Sequence, residues 1–180
     1  MYHLICHPDA PSSSVSKVTA QVCFGDDLEI WVEFMITPIE GVIFPNPKPA
    51  QRSDGLWKST CFELFLKLEN ADRYFEFNLS PSSEWAAYSF DSYRSGMQNH
   101  PVKFDPEMEF TTTIDKSYYW LAADLPIPET EKSPFLLGLS AVIEEQDGHK
   151  SYWALAHPDG PPDFHNRDCF IAHLPPVEAP

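Results

Sequence analysis

Two glutamates stand where paired strands would set a carboxylate site. Glu63 lies in the run CFELFLKL (61–68) and Glu76 in YFEFNL (74–79). Successive side chains of a strand point to opposite faces. In the first run Phe62, Leu64 and Leu66 therefore share one face. Cys61 and Glu63 share the other, joined by Trp57 if the strand reaches back that far. In the second run Phe75, Phe77 and Leu79 oppose Tyr74, Glu76 and Asn78. Two such strands side by side offer an apolar face to a core and a second face carrying Trp, Glu, Glu and Asn. That second face suits a neutral polar ligand such as a sugar. Aromatic rings cover its C–H surfaces, and an ionised carboxylate accepts from its hydroxyls. Two other readings of the glutamates stay open. A glycoside hydrolase needs two carboxyls roughly 5–10 Å apart, which neighbouring strands can supply, and a purely structural pair is the third possibility.

Other residues carry weaker signals. Trp153, in SYWAL, is the second candidate for an aromatic platform after Trp57. Trp31, Trp85 and Trp120 read as packing residues. Arg94, in SYRSG, sits in an irregular stretch, where a loop arginine serves either a ligand or a salt bridge. His157 and His165 are eight residues apart with Asp159 and Asp163 between them. That is neither the i, i+4 helical spacing of a zinc site nor one with cysteine partners, so hydrogen bonding to backbone or ligand is the plainer role. GxSxG, HExxH, the Walker lysine loop and GxGxxG are absent from the sequence.

The elements that must position these residues are short strands. Apolar alternation predicts them at 17–24, 27–37, 59–68, 73–80, 84–90, 107–114, 118–125, 135–145, 150–155 and 168–174. Gly25-Asp26 and Asp147-Gly148-His149 read as hairpin turns. Residues 38–53 carry four prolines and read as loop, as do 91–106 and 157–167. No long helix, internal repeat or linker interrupts the pattern. The expectation is one all-β domain spanning 1–180, an antiparallel β-sandwich of jelly-roll type.

Composition narrows the partners. With 12 Lys+Arg against 27 Asp+Glu the formal net charge is −15. A broad basic patch for nucleic acid cannot be built from that balance, and anionic lipid is disfavoured for the same reason. Clustered carboxylates leave calcium possible. MYHLICHPDAPSSS has no basic region and no apolar run of signal-peptide length, and no stretch approaches the roughly 18 apolar residues of a membrane span. The expected location is the cytoplasm, with Cys6, Cys23, Cys61 and Cys169 as free thiols.

Several runs resemble a known pattern: DGLW (54–57), TCFELFL (60–66), YFEFNLSP (74–81), WAAY (85–88), YRSGM (93–97), SAVIE (140–144) and SYWAL (151–155). From about residue 15 to 175 the chain resembles the DOMON-like proteins related to family 9 carbohydrate-binding modules, in their single-domain bacterial form. The resemblance implies a jelly-roll sandwich without catalysis. In the modules two tryptophans clamp a sugar, helped by a glutamate, an arginine and an amide. Trp57 and Glu63 match the first tryptophan and the glutamate, Trp153 the second tryptophan, and Arg94 the arginine. Glu76 and Asn78 complete the candidate ligand-binding set. Some modules carry calcium, whose ligands have no counterpart identified here. This chain carries neither the appended hydrolase nor the export signal of the secreted modules, so a soluble sugar or sugar derivative is the expected ligand. Another branch of the superfamily binds haem between a methionine and a histidine, parts that would fall here to Met97 and to His157 or His165. A protein-interaction sandwich is a third alternative, since exposed Trp and Tyr also make interface hot spots.

Overall fold

The computed structural model describes residues 1–24, 29–102, 106–112, 118–126 and 134–174. They form thirteen strands: β1 (Tyr2–Cys6), β2 (Lys17–Phe24), β3 (Glu29–Thr37), β4 (Gln51–Arg52), β5 (Cys61–Leu68), β6 (Tyr74–Leu79), β7 (Glu84–Phe90), β8 (Gln98–Asn99), β9 (Glu107–Thr112), β10 (Tyr119–Pro126), β11 (Phe135–Glu144), β12 (Lys150–Ala154) and β13 (Ala172–Leu174). Among the described residues no helix is long and apolar enough to cross a membrane.

The main path runs β4-β7-β6-β5-β11-β12-β1-β2-β3-β10-β9, with β13 beside β11 and β8 beside β7. It curls into two facing layers because β1 belongs to both. Its Tyr2, His3 and Leu4 pair with β2, while Ile5 and Cys6 pair with β12. The first layer is then β1, β2, β3, β10 and β9, and the second runs from β4 to β12. All pairings are antiparallel except the short β4–β7 one. This is the expected all-β sandwich.

The core lies between the layers and is built by alternation. Ile30, Val32, Phe34 and Ile36 of β3 are fully buried, and they face Phe62, Leu64, Leu66, Phe75, Phe77 and Leu79 of the second layer in one continuous cluster. Phe34 stacks on Phe62 across the gap with ring centroids 5.0 Å apart. Each such side chain contributes about 1.5–3 kcal/mol on burial. The second layer is also buried on its outer side. Cys61, Phe65, Tyr74, Ala86, Tyr88, Phe90, Val142 and Ala154 form a second cluster under the loops that cover it.

Details depart from the expected elements. β1, which joins the layers, lies in a stretch for which no strand is predicted. The first predicted strand pair is present as β2 and β3, while its Gly25-Asp26 turn lies outside the described residues. The 168–174 segment is a 3-10 turn (Arg167–Cys169) followed by the short β13. The Asp147-Gly148-His149 turn is formed, with Gly148 at φ 83° and its N–H donating to the Glu145 carbonyl. Trp85 packs in the core, but Trp31 and Trp120 are half-buried on the outside of the first layer. Glu145, 1% exposed, fastens the segment after β1. Its carboxylate accepts from the hydroxyls of Ser12, Ser13 and Ser14 at 2.6–2.8 Å and from the N–H groups of Ser13 and Ser14.

Candidate functional site

The outer side of the second layer carries a cleft of about 490 Å³. Its floor follows from parity and register. Tyr88 on β7 is paired with Glu76 on β6. Glu63 on β5 is paired with Asn78 on one side and Ser140 of β11 on the other. Val142 of β11 is paired with Tyr152 of β12. Glu63 and Glu76 are thus diagonal neighbours, roughly 7–8 Å apart at the backbone. Across five adjacent strands the cleft residues read Tyr88, Glu76, Glu63, Val142, Tyr152: an aromatic ring at each end and the acids between.

Covering loops add the walls. Trp57 comes from a 3-10 turn (Leu56–Lys58) rather than from β5, which begins only at Cys61. Gly55 opens that turn at φ 76°, a left-handed conformation that favours glycine. Buried Leu56 anchors the turn, leaving Trp57 at 42% exposure, edge-on to Tyr88 at 6.4 Å. Met97, Pro162 and Phe164 complete the rim.

The two acids are 4% and 5% exposed and are oriented from below. Ser140 Oγ donates to Glu63 Oε2 at 3.1 Å, and Asn78 Nδ2 donates to Glu76 Oε1 at 2.6 Å. Asn78 itself is fully buried beneath the cleft, so its part is to hold Glu76 rather than to touch a ligand. Burial pushes both carboxyls up from the ordinary range, and the charge of Glu76 pushes Glu63 further.

Arg94 lines the cleft and is also salt-bridged. Its Nη2 stands 2.6 Å from Asp163 Oδ1, and Tyr93 OH donates to the other carboxylate oxygen at 2.6 Å. The salt-bridge reading of this arginine is met, and its side chain also borders the cleft. Arg94 holds φ 50°, a left-handed conformation costing a non-glycine residue about 1–2 kcal/mol. The Asp163 pair and the Arg94 N–H bond to Tyr74 OH (3.2 Å) fix it there.

Tyr74 extends this network to His165, whose Nδ1 is 2.8 Å from the Tyr74 hydroxyl. That hydroxyl also accepts from the Arg94 N–H, and with two lone pairs and one proton it can meet Nδ1 of either imidazole tautomer. Burial pushes His165 down to about 4. Nε2 lies 3.8 Å from Glu76 Oε2. Both ring nitrogens thus face protein groups. His157 is not among the cleft residues and places Nε2 2.8 Å from the Ile5 carbonyl. Together with the acidic floor, these bonds leave Met97 and the two histidines a poor fit to axial haem ligation. Among the described residues no cluster of three or more His, Cys, Asp or Glu is placed to hold a metal ion.

The expected clamp of Trp57 and Trp153 is not formed. Trp153 is 5% exposed and belongs to the core between the layers, with Nε1 donating to Ser151 Oγ at 3.0 Å. Ser151, Trp153 and Leu155 are buried inward, which turns Tyr152 to the cleft. The site therefore gathers Trp57, Glu63, Glu76 and Arg94 from the expected set. It also holds His165, for which hydrogen bonding to backbone or ligand was the expected role, and Tyr88, Phe90, Tyr152 and Phe164, which the sequence reading did not assign to ligand.

No protein-family model and no curated protein matches the chain. Among solved structures the fold is similar to that of a proposed carbohydrate-binding protein from Bacteroides uniformis, with a TM-score of 0.63 over 96% of this chain and 84% of that one. Sequence identity is 14%, so the likeness is one of fold.

Proposed function

We propose that the chain is a non-catalytic binding module for a carbohydrate or sugar derivative, held in the cleft over Glu63 and Glu76. The observation that carries the reading is the floor itself, with two nearly buried carboxylates between aromatic residues on five successive strands. A sugar presents the matching chemistry: apolar C–H faces for Trp57, Tyr88 and Tyr152, and hydroxyls for carboxylates held by Ser140 and Asn78. Arg94 supplies a donor at the rim. The fold likeness to a proposed carbohydrate-binding protein supports the reading. The finer assignment, to the DOMON-like relatives of family 9 modules, rests on the TCFELFL and YFEFNLSP runs. In that assignment Tyr152 takes the part expected of the second tryptophan.

The test is a panel of monosaccharides and glycans titrated against intrinsic tryptophan fluorescence, since half-exposed Trp57 reports on the cleft. Saturable quenching that is lost in Trp57→Ala supports the reading. Loss of a charge-assisted acceptor in Glu63→Gln should weaken binding by about 1–3 kcal/mol. A panel without a single binder, or affinities untouched by both variants, overturns it.

A further inference from the structure

The cleft holds two neighbouring acids for which a neutral sugar brings no counter-charge. Glu63, Glu76, Arg94 and His165 line it, and Asp163 stands behind Arg94. Arg94 and Asp163 neutralise each other at 2.6 Å. The other guanidinium near the rim, Arg52, is spent on Asp54 at 2.8 Å. His165 is neutral. That leaves two carboxyls, each more than nine-tenths buried, with no cation of the protein bonded to either. Glu63 Oε2 has only the Ser140 hydroxyl, and no described residue donates to Oε1. Glu76 Oε1 has only an uncharged amide. A buried acid without a charged partner is costly, and the cleft keeps two as neighbours. Burial raises both carboxyls, and the charge of Arg94, which is bonded to neither, offsets this only in part.

From this arrangement we infer that the cleft takes an amino sugar, or a like polyol bearing a protonated amine, with the ammonium set between Glu63 and Glu76. The inference rests on the carbohydrate reading above and names the ligand class. An ammonium group brings three N–H donors to acceptors that lack them, and the buried floor screens the attraction less than a surface would. The aromatic residues at both ends keep the task they have for any pyranose.

The test compares glucosamine, galactosamine and mannosamine with their neutral parents and N-acetyl forms, by calorimetry on the full chain. The amines should bind about tenfold tighter or more than the parents, because a charge-assisted bond is roughly twice as strong as a neutral one. In Glu63→Gln and Glu76→Gln that preference should fall towards unity, whatever happens to the absolute affinities. Neutral or N-acetyl sugars binding as well as the amines overturns the ammonium inference and leaves the carbohydrate reading standing. A preference that survives both variants also overturns it, since the ammonium then sits elsewhere. Failure of every sugar to bind overturns both readings.

Discussion

Trp153→Ala separates core from cleft more sharply than any other change in this chain. The indole is 5% exposed and packs in the cluster shared by both layers. Truncating a buried Phe or Trp to Ala costs about 3–5 kcal/mol. Ser151 is fully buried and receives the indole N–H at 3.0 Å, so its stranded hydroxyl oxygen adds about 1 kcal/mol. The total, about 4–6 kcal/mol, is a large part of a typical stability of 5–15 kcal/mol. For this chain length it corresponds to a fall in Tm on the order of 10–20 °C. Urea unfolding followed by far-UV circular dichroism measures it, with Trp153→Phe as the control. The control retains most of the ring volume and should lose only about 1–2 kcal/mol. A Trp153→Ala protein with an unchanged midpoint but abolished sugar capture would return the indole to the cleft and refute the burial argument.

Tyr152→Ala, one residue away, should do the reverse: ligand affinity falls at least several-fold while stability moves by about 1–2 kcal/mol, read by fluorescence titration and urea melts. Glu145→Gln should loosen the Ser12–Ser14 segment. Burial alone would raise this carboxyl, but the serine hydroxyls and N–H groups outweigh it and hold the group at about 2. That depressed value stabilises the fold above the ordinary carboxylate range, and the benefit, about 3 kcal/mol, is lost as pH falls towards 2. Wild type and variant should therefore differ most at neutral pH and converge in acid, in melts run across that range. Glu63 has the opposite sign. Its raised value means the folded empty cleft prefers the protonated acid, so stability declines as pH rises above the ordinary carboxylate range. Glu63→Gln should thus gain on wild type between about pH 5 and about pH 9. A difference that does not change with pH would show that Glu63 titrates normally in the fold.

Much of this architecture is legible because it rests on period-two patterning. The runs at 61–68 and 74–79 show both their faces, and the core and cleft residues of β5 and β6 lie where alternation puts them. Trp153 is the instructive departure. In KSYWAL the face of Ser151, Trp153 and Leu155 is more apolar than that of Lys150, Tyr152 and Ala154, so the same rule points the indole inward. The resemblance to clamp-bearing modules pulled it outward instead. Tyr88 and Phe90 were within reach by the same parity, since they share a face of β7 with Glu84. Other features carry no local signal. Trp57 is set by a 3-10 turn whose orientation depends on where Leu56 finds a pocket. His165 and Phe164 reach the cleft from a proline-rich loop with no periodicity. β4 and β8 are two residues long, too short for any pattern. β1, YHLIC, is strand by virtue of two partners, β2 next in the chain and β12 near its other end.

Because β5 and β6 are buried on both sides, each strand answers to two masters on alternate positions. A saturation scan scored separately for cellular abundance and for ligand capture should resolve into interleaved combs: Phe62, Leu64, Phe75 and Phe77 in the first, Glu63 and Glu76 in the second. Insertion of a single amino acid in either strand would exchange the teeth of both combs at once. Variation at this cleft is thus confined to swaps in place, and the covering loops are where lineages can add or remove length while altering which molecules are admitted.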